Sequence, residues 1–143
     1  MTAYTQQPEI QRAMFQKLKP FNNIDATLAA LGCKGVYDWK NVPQNAEFDY
    51  ITLGDGYELT DHTFDGYGYK YYAMVHVWSN QNNSENPQYM VSRLNEMFDK
   101  QTLHLDTMNN VSGLNQRTTN LLDQTGIIPI VHYAVQYLFY TVQ

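Results

Sequence analysis

The segment from Tyr69 to Ser79 constrains the fold of this chain most, because its side chains alternate over the full length of a β-strand. The alternation gives two sets: Ala73, Val75 and Val77 on one side, and Met74, His76 and Trp78 on the other. Both sets are largely apolar, so we expect the strand to be covered on both sides. Helices would cover one side, and a neighbouring subunit is a candidate for the other.

Helical spacing and helix-ending residues predict three helices. They are Ile10 to Leu18, ended by Pro20; Asp25 to Leu31, ended by Gly32; and Tyr89 to Lys100, begun by the Ser84-Glu85-Asn86-Pro87 signature. The third helix carries an apolar stripe, which we expect to lie on the sheet.

Further strands are predicted from short apolar or alternating runs. They are Val36-Tyr37, Phe48 to Leu53, Leu103 to Val111, and the long closing run Ile127 to Val142. The order ααββββαββ, or one close to it, predicts an α+β fold with an antiparallel sheet and helices packed on one face. No repeat or linker divides the chain, so residues 1–143 read as one domain. Two long connections are predicted, at about 55–68 and 109–126, the second almost wholly polar.

Composition favours a role in protein contact. Charged residues make up 16% of the chain and tyrosine occurs twelve times, and interface cores likewise lose charge and gain aromatic residues. The net charge of −5 and the scattered basic residues argue against a nucleic-acid-binding surface. The N-terminal residues predict no signal peptide, no run predicts a membrane span, and Cys33 has no second cysteine to pair with. We therefore expect folding in a cytoplasm.

No pattern of catalytic, cofactor-binding or metal-binding residues emerges, so we do not expect an enzyme. The four histidines, His62, His76, His104 and His132, lack the spacing of common zinc sites. Carboxylates gather loosely between Asp55 and Asp65, without the pattern of an EF-hand. Cys33 follows a helix end and reads as a buried thiol.

Aromatic residues crowd the first long connection and the strand after it, with Lys70 as the only basic residue among them. Stacking on nucleic acid needs cationic partners, so protein contact fits better, although packing on the chain's own sheet explains such residues equally well. The candidate interface residues are Tyr57, Phe64, Tyr67, Tyr69, His76, Trp78, Tyr133 and Tyr137.

Four short motifs occur in succession along the chain: Val36-Tyr37, Val42-Pro43, Phe48-Asp49-Tyr50-Ile51-Thr52-Leu53-Gly54 and Val75-His76-Val77-Trp78-Ser79. With the next helix and the closing strand, this series resembles the tail-completion, or tail-terminator, proteins of long-tailed bacteriophages and prophages, from about Asp25 to the C-terminus. The resemblance implies a tail-terminator-like antiparallel sheet flanked by helices. It also implies a ring, typically a hexamer, that caps the growing tail tube and later docks to the connector of the head.

We therefore expect a virion structural protein that ends tail-tube polymerisation and joins tail to head. Its expected partners are other copies of itself, the major tail tube protein and the head-completion or connector protein, while DNA passes through the lumen without sequence-specific binding. Its expected place is the head-proximal end of the tail, after assembly in the bacterial cytoplasm. One alternative is a head-completion or neck protein. An alternative of another class is a small ligand-binding or metal-dependent domain that uses His76 and His132.

Overall fold

A computed structural model describes residues 7–60, 68–80, 85–105, 111–123 and 130–142. The helices are α1 (Gln7–Leu18), α2 (Ala26–Ala30) and α3 (Asn86–Phe98), with a short 3-10 turn at Pro20–Asn22. The strands are β1 (Gly35–Asp38), β2 (Tyr50–Leu53), β3 (Tyr57–Thr60), β4 (Gly68–Ser79), β5 (Thr102–Leu103), β6 (Val111–Asp123) and β7 (Ile130–Val142).

The strands form one sheet in the order β1-β2-β4-β7-β6-β5, with β3 paired to β4 beside β2. Strand β1 runs parallel to β2, and the other strand pairs are antiparallel. The α+β prediction is confirmed, with a mixed sheet whose strands are mostly antiparallel. Strands β4 and β7 pair from Gly68 opposite Val142 to Ser79 opposite Val131, and this long ladder forms the centre of the sheet.

The helices supply the apolar side chains that cover one face of the sheet. The core joins α1, α2 and α3 to alternate residues of the central strands, and its fully buried members include Met14, Leu28, Leu94, Val75, Tyr137 and Phe139. Because successive strand residues point to opposite faces, the odd-numbered residues from Tyr69 to Ser79 in β4 and from Val131 to Phe139 in β7 face these helices. We call this the helix-covered face and the other the open face.

The predicted ends of α2 agree with the structure to within one residue, whereas α3 begins at Asn86 rather than Tyr89 and ends at Phe98 rather than Lys100. Asp25 precedes α2 and accepts a hydrogen bond from the backbone N–H of Leu28, which satisfies a donor that a helix start leaves unpaired. Gly32 follows the helix with φ +100°, a conformation that glycine adopts without steric cost. Asp25 also binds Arg93 of α3 through two hydrogen bonds, at 2.9 and 3.0 Å, so the start of α2 is tied to α3.

The prediction of a loop at about 109–126 is wrong, because Val111–Asp123 forms β6. Most of its side chains are exposed, so the strand has no buried set to mark it in the sequence. Backbone hydrogen bonds to β7 hold it instead. The strand predicted from Leu103 to Val111 does not continue from β5, which ends at Leu103 before two residues outside any strand, and residues 106–110 lie outside the described part. In the predicted 55–68 connection, Tyr57–Thr60 forms β3, and residues 61–67 lie outside the described part.

Candidate functional site

The open face carries a group of polar and aromatic side chains near one end of the β4–β7 ladder. Thr52 of β2 lies opposite His76 of β4, and Trp78 of β4 lies opposite His132 of β7. Directly opposed residues of antiparallel strands project to the same face. Three neighbouring strands therefore bring these four side chains together, although they are far apart in sequence.

Asp55, His76 and His132 form a row of hydrogen bonds on this face. The Nε2 atom of His76 lies 2.5 Å from Oδ2 of Asp55, and its Nδ1 atom lies 2.5 Å from Nε2 of His132. Both ring nitrogens of His76 are therefore engaged, which fixes the orientation of the ring. Asp55 keeps 29% of its side chain exposed, against 11% for His76.

His132, at one end of this row, is uncharged near pH 7. Burial, and then the nearby His76, lower the pKa of His132 to about 4. Two proton arrangements satisfy the row with His132 neutral. Either His132 donates to a neutral His76, which donates to Asp55, or a protonated His76 donates to both neighbours. Both arrangements leave the Asp55 carboxylate as the acceptor at the other end.

Aromatic rings flank the row and define a cavity of about 310 Å³. The ring of Trp78 stacks on His132 with centroids 3.8 Å apart and planes 10° apart, and its Nε1 donates to Oγ1 of Thr52 at 3.0 Å. The cavity is lined by Trp39, Val42, Tyr50, Thr52, Asp55, His76, Trp78 and His132. Such a volume lies at the lower end of the range for small-ligand sites, roughly 300–1,000 Å³. We call it the Asp55 pocket.

Two glycines put Asp55 where it can reach His76. Strands β2 and β3 pair with successive parts of β4, and Gly54-Asp55-Gly56 interrupts them. Gly54 has φ +121°, and a Cβ there would lie 2.9 Å from the Trp39 ring. A Cβ at Gly56 would lie 2.1 Å from the carbonyl oxygen of Tyr72. The break in the strand therefore requires glycine on both sides of the carboxylate.

The predicted interface residues separate into three groups. Tyr57, His76 and Trp78 lie on the open face, where Tyr57 is half exposed and stacks on Tyr72 with centroids 4.9 Å apart, whereas His76 is itself buried under its neighbours. Tyr69, Tyr133 and Tyr137 are buried within the chain itself, so their rings are not available as contact surface and the structure corrects these three assignments. Phe64 and Tyr67 lie outside the described residues.

The hydrogen bonds of Tyr137 explain why this polar ring is tolerated in the core. Its hydroxyl donates to Oδ1 of Asn95 in α3 at 2.7 Å, which removes the cost of burying an unpaired polar group. Burial strongly raises the pKa of this hydroxyl.

The prediction that Cys33 is a buried thiol is confirmed, since its side chain is buried and burial raises its pKa to about 11.

The histidine pair does not have the geometry of a metal site. Two imidazole ligands on one tetrahedral zinc ion have their nitrogens about 3.3 Å apart, given metal–nitrogen bonds of about 2.0–2.1 Å. The facing nitrogens of His76 and His132 are 2.5 Å apart and point at each other. Within the described part of the chain, no group of three or more His, Cys, Asp or Glu side chains is arranged to hold a metal ion.

Sequence reasoning placed His76 and His132 on strands and named them together in the ligand-binding alternative, but it did not join them to Asp55. The alternation of each strand gave the correct faces, and the missing information was the register of β4 against β7.

The described helices include none with the length and apolar character that a membrane crossing requires.

Comparison with known proteins shows a shared fold. No family model and no curated protein matches the sequence. A chain in the solved structure of the virion of a native gene transfer agent particle has a TM-score of 0.82 and 18% identity, covering 99% of this chain and 100% of that one. Another solved structure has a TM-score of 0.54 and 18% identity, covering 96% of this chain and 95% of that one.

Proposed function

We propose that this protein is a structural component of a phage-like virion, and that it acts by assembly rather than by catalysis. The observation that carries the proposal is the full-length likeness, at a TM-score of 0.82, to a chain in a gene transfer agent virion. The likeness covers 99% of this chain and 100% of the other, so it extends over the whole domain rather than over a part of it.

More specifically, we propose the tail-completion role: a ring that caps the tail tube, stops its growth and joins the tail to the head. A head-to-tail contact between identical chains closes into a ring when its rotation divides a full turn. Support comes from the exposed surface of β6, where Leu114, Leu121 and Leu122 are each about half exposed. Exposed apolar side chains on an edge strand favour contact with another chain.

Deleting the gene tests this role most simply. Particles made without the protein should carry over-long tails, or tails that are not joined to heads, when viewed by negative-stain electron microscopy. A deletion strain complemented with the wild-type gene should recover tails of normal length. Tails of normal length that attach to heads in the deletion strain would contradict the role.

A head-completion or neck protein of the connector is the second candidate, because the same particle likeness supports it. The two candidates differ in the sub-assembly that carries the protein. Purified tails labelled by antibody should bear the protein at one end under the tail-completion proposal. Label found only on tailless heads would favour the neck proposal.

The small ligand-binding or metal-dependent domain is the third candidate, from a different class. The Asp55 pocket gives it a cavity, but the contact between His76 and His132 does not favour a shared metal ion. Metal analysis of the purified protein tests it directly. Zinc or iron at one equivalent per chain would overturn the assembly-only proposal.

A further inference from the structure

We propose that the Asp55 pocket receives the Arg117 side chain of a second copy of this chain, and that this contact is the head-to-tail link between subunits. The inference rests on the proposed assembly role, and it names the residues on the two sides of the contact. It concerns the open face of the sheet, where the pocket and Arg117 both lie.

The chemistry of the pocket suits a guanidinium group. The Asp55 carboxylate lines the cavity together with the aromatic side chains of Trp39, Tyr50 and Trp78. A planar cation combines hydrogen bonds to a carboxylate with stacking on aromatic rings, which an ammonium group does less well. The Trp39 ring already attracts a cation of its own chain, since Nζ of Lys40 lies 5.6 Å from its centroid.

Asp55 also has hydrogen-bonding capacity that the described residues do not use. Its Oδ2 atom binds His76, whereas Oδ1 has no hydrogen-bond partner in the described part of the chain. Because Oδ1 is covered in the isolated chain, docking has to turn the carboxylate slightly to expose it. A carboxylate oxygen without a donor carries a desolvation cost that an incoming donor removes.

Arg117 is the arginine of this chain best placed to dock in another copy. The chain has three arginines, Arg12, Arg93 and Arg117. Arg93 is engaged by Asp25 and Glu96, and Arg12 lies on α1, in the helix layer. Arg117 lies opposite Gln136 of β7 and so projects to the open face. It is exposed, and its Nε donates to the hydroxyl of Thr119 at 3.1 Å.

The strand that carries Arg117 is itself suited to contact another chain. Strand β5 pairs only with the first two residues of β6. Beyond Asn115, whose N–H donates to Asp99, the outer edge of β6 has no strand partner among the described residues. If each copy fills the pocket of the next, every end keeps one empty pocket or one unused Arg117 and subunits link in series, whereas reciprocal filling by two copies would close a dimer. A wild type that stops at dimers would therefore contradict the head-to-tail contact.

Self-association of the purified chain, measured by sedimentation, tests this inference. The wild type should associate with rising concentration, and Arg117→Glu should weaken association by at least about tenfold, since the reversed charge would face Asp55. Asp55→Asn should weaken it similarly while nearly keeping the shape of the side chain. Arg12→Glu makes the same charge change in the helix layer and should leave association unchanged.

A mixing experiment tests the direction of the contact. Asp55→Asn chains keep Arg117, and Arg117→Glu chains keep Asp55, so an equal mixture forms one intact contact per pair. The mixture should therefore stop at dimers. Continued growth beyond dimers in the mixture would overturn the head-to-tail contact.

Three further results would also overturn the inference: a wild type that stays monomeric, an Arg117→Glu variant that associates like wild type, and association lost equally in Arg12→Glu. N-acetyl-arginine amide serves as a probe of the pocket through tryptophan fluorescence. Probe binding with no effect of Arg117→Glu on association would assign the pocket to a different partner and reject the second copy. None of these results decides the tail-completion role, which the deletion strain tests independently.

Discussion

The two faces of the β4–β7 ladder come from the same strands but are stabilised differently. On the helix-covered face, Val75, Val135 and Phe139 are fully buried against helices. On the open face, His76 and Trp78 contact Asp55, Thr52 and His132 through specific polar and ring contacts. The first face supplies most of the hydrophobic stabilisation. The second carries the half-exposed ring of Tyr57 and the exposed Arg117, so we propose that one face supplies stability and the other contacts a partner.

The largest expected effect comes from truncating the helix-covered face. Phe139→Ala should lower the free energy of unfolding by about 3–5 kcal/mol, because it removes a fully buried ring and leaves a cavity. Tyr140→Ala is the matched control, since the neighbouring ring points to the open face and is 45% exposed. Its cost should stay below about 1 kcal/mol. Urea unfolding of both variants measures the difference, and equal costs would break the distinction between the faces.

The next effect concerns the ion pair within the helix layer. Asp25→Ala removes both the cap of α2 and the partner of Arg93, so the free energy of unfolding should fall by about 2–3 kcal/mol. The hydrogen bonds from Arg93 lower the pKa of Asp25. Its contribution is therefore present above the ordinary value of 3.8 and is lost as pH falls through the lowered pKa.

Urea unfolding of wild type and Asp25→Ala at neutral and strongly acidic pH checks this second effect. The difference between the two proteins should shrink in acid. Glu96→Gln is the control, because Glu96 is mostly exposed and its bond to Arg93 lies at the surface. A difference that persists unchanged at the lowest pH would contradict the role of the Asp25 carboxylate.

The open face should respond to pH in a different window. His132 has a pKa of about 4 in the folded chain against an ordinary 6.5, so the unfolded chain binds more protons between these values. Stability should therefore fall as pH drops from about 6.5 to about 4. Because the ring is still partly open to screening water, we expect a loss of only about 1 kcal/mol.

Replacing the ring tests this assignment. His132→Gln should flatten the change in unfolding free energy between these two pH values, relative to wild type. His104→Gln is the control, as this histidine is exposed and lies away from the pocket. An unchanged pH profile in His132→Gln would show that His132 does not carry the effect.

The smallest expected effect on stability comes from the exposed edge. Leu121 is 48% exposed on β6 and lies opposite His132, on the open face, so Leu121→Gln should change the free energy of unfolding by less than about 0.5 kcal/mol. The same change should reduce self-association, because it removes apolar contact area from the proposed interface. Parallel unfolding and sedimentation measurements separate the two effects. A large loss of stability would show that Leu121 belongs to the core rather than to a contact surface.

The sequence predicted the helix-covered face better than the open one, for a physical reason. Val75, Leu94 and Val135 belong to regular apolar patterns, which report burial against the chain's own elements. Strand β6 has no such pattern, because its residues around Arg117 and Thr118 are exposed and its pairing depends on backbone bonds. Local patterns cannot predict strands of this kind.

The candidate site was only partly predictable for a related reason. Alternation placed His76 and Trp78 on one face of β4 and His132 on one face of β7. Their contact depends on strand register, which is set by pairing over the whole ladder rather than by nearby residues. Asp55 reaches His76 only because the strand breaks between Gly54 and Gly56, a detail that a turn prediction does not contain.

The central claim is that this protein is built into a phage-like particle through its open face and edge strand. Mass spectrometry of gradient-purified particles, from a strain that encodes the chain, tests the claim most directly. The account predicts that the protein co-purifies with the particles in a fixed ratio to the other particle proteins, and that Arg117→Glu lowers this ratio while Arg12→Glu does not. Complete particles that lack the protein would contradict it.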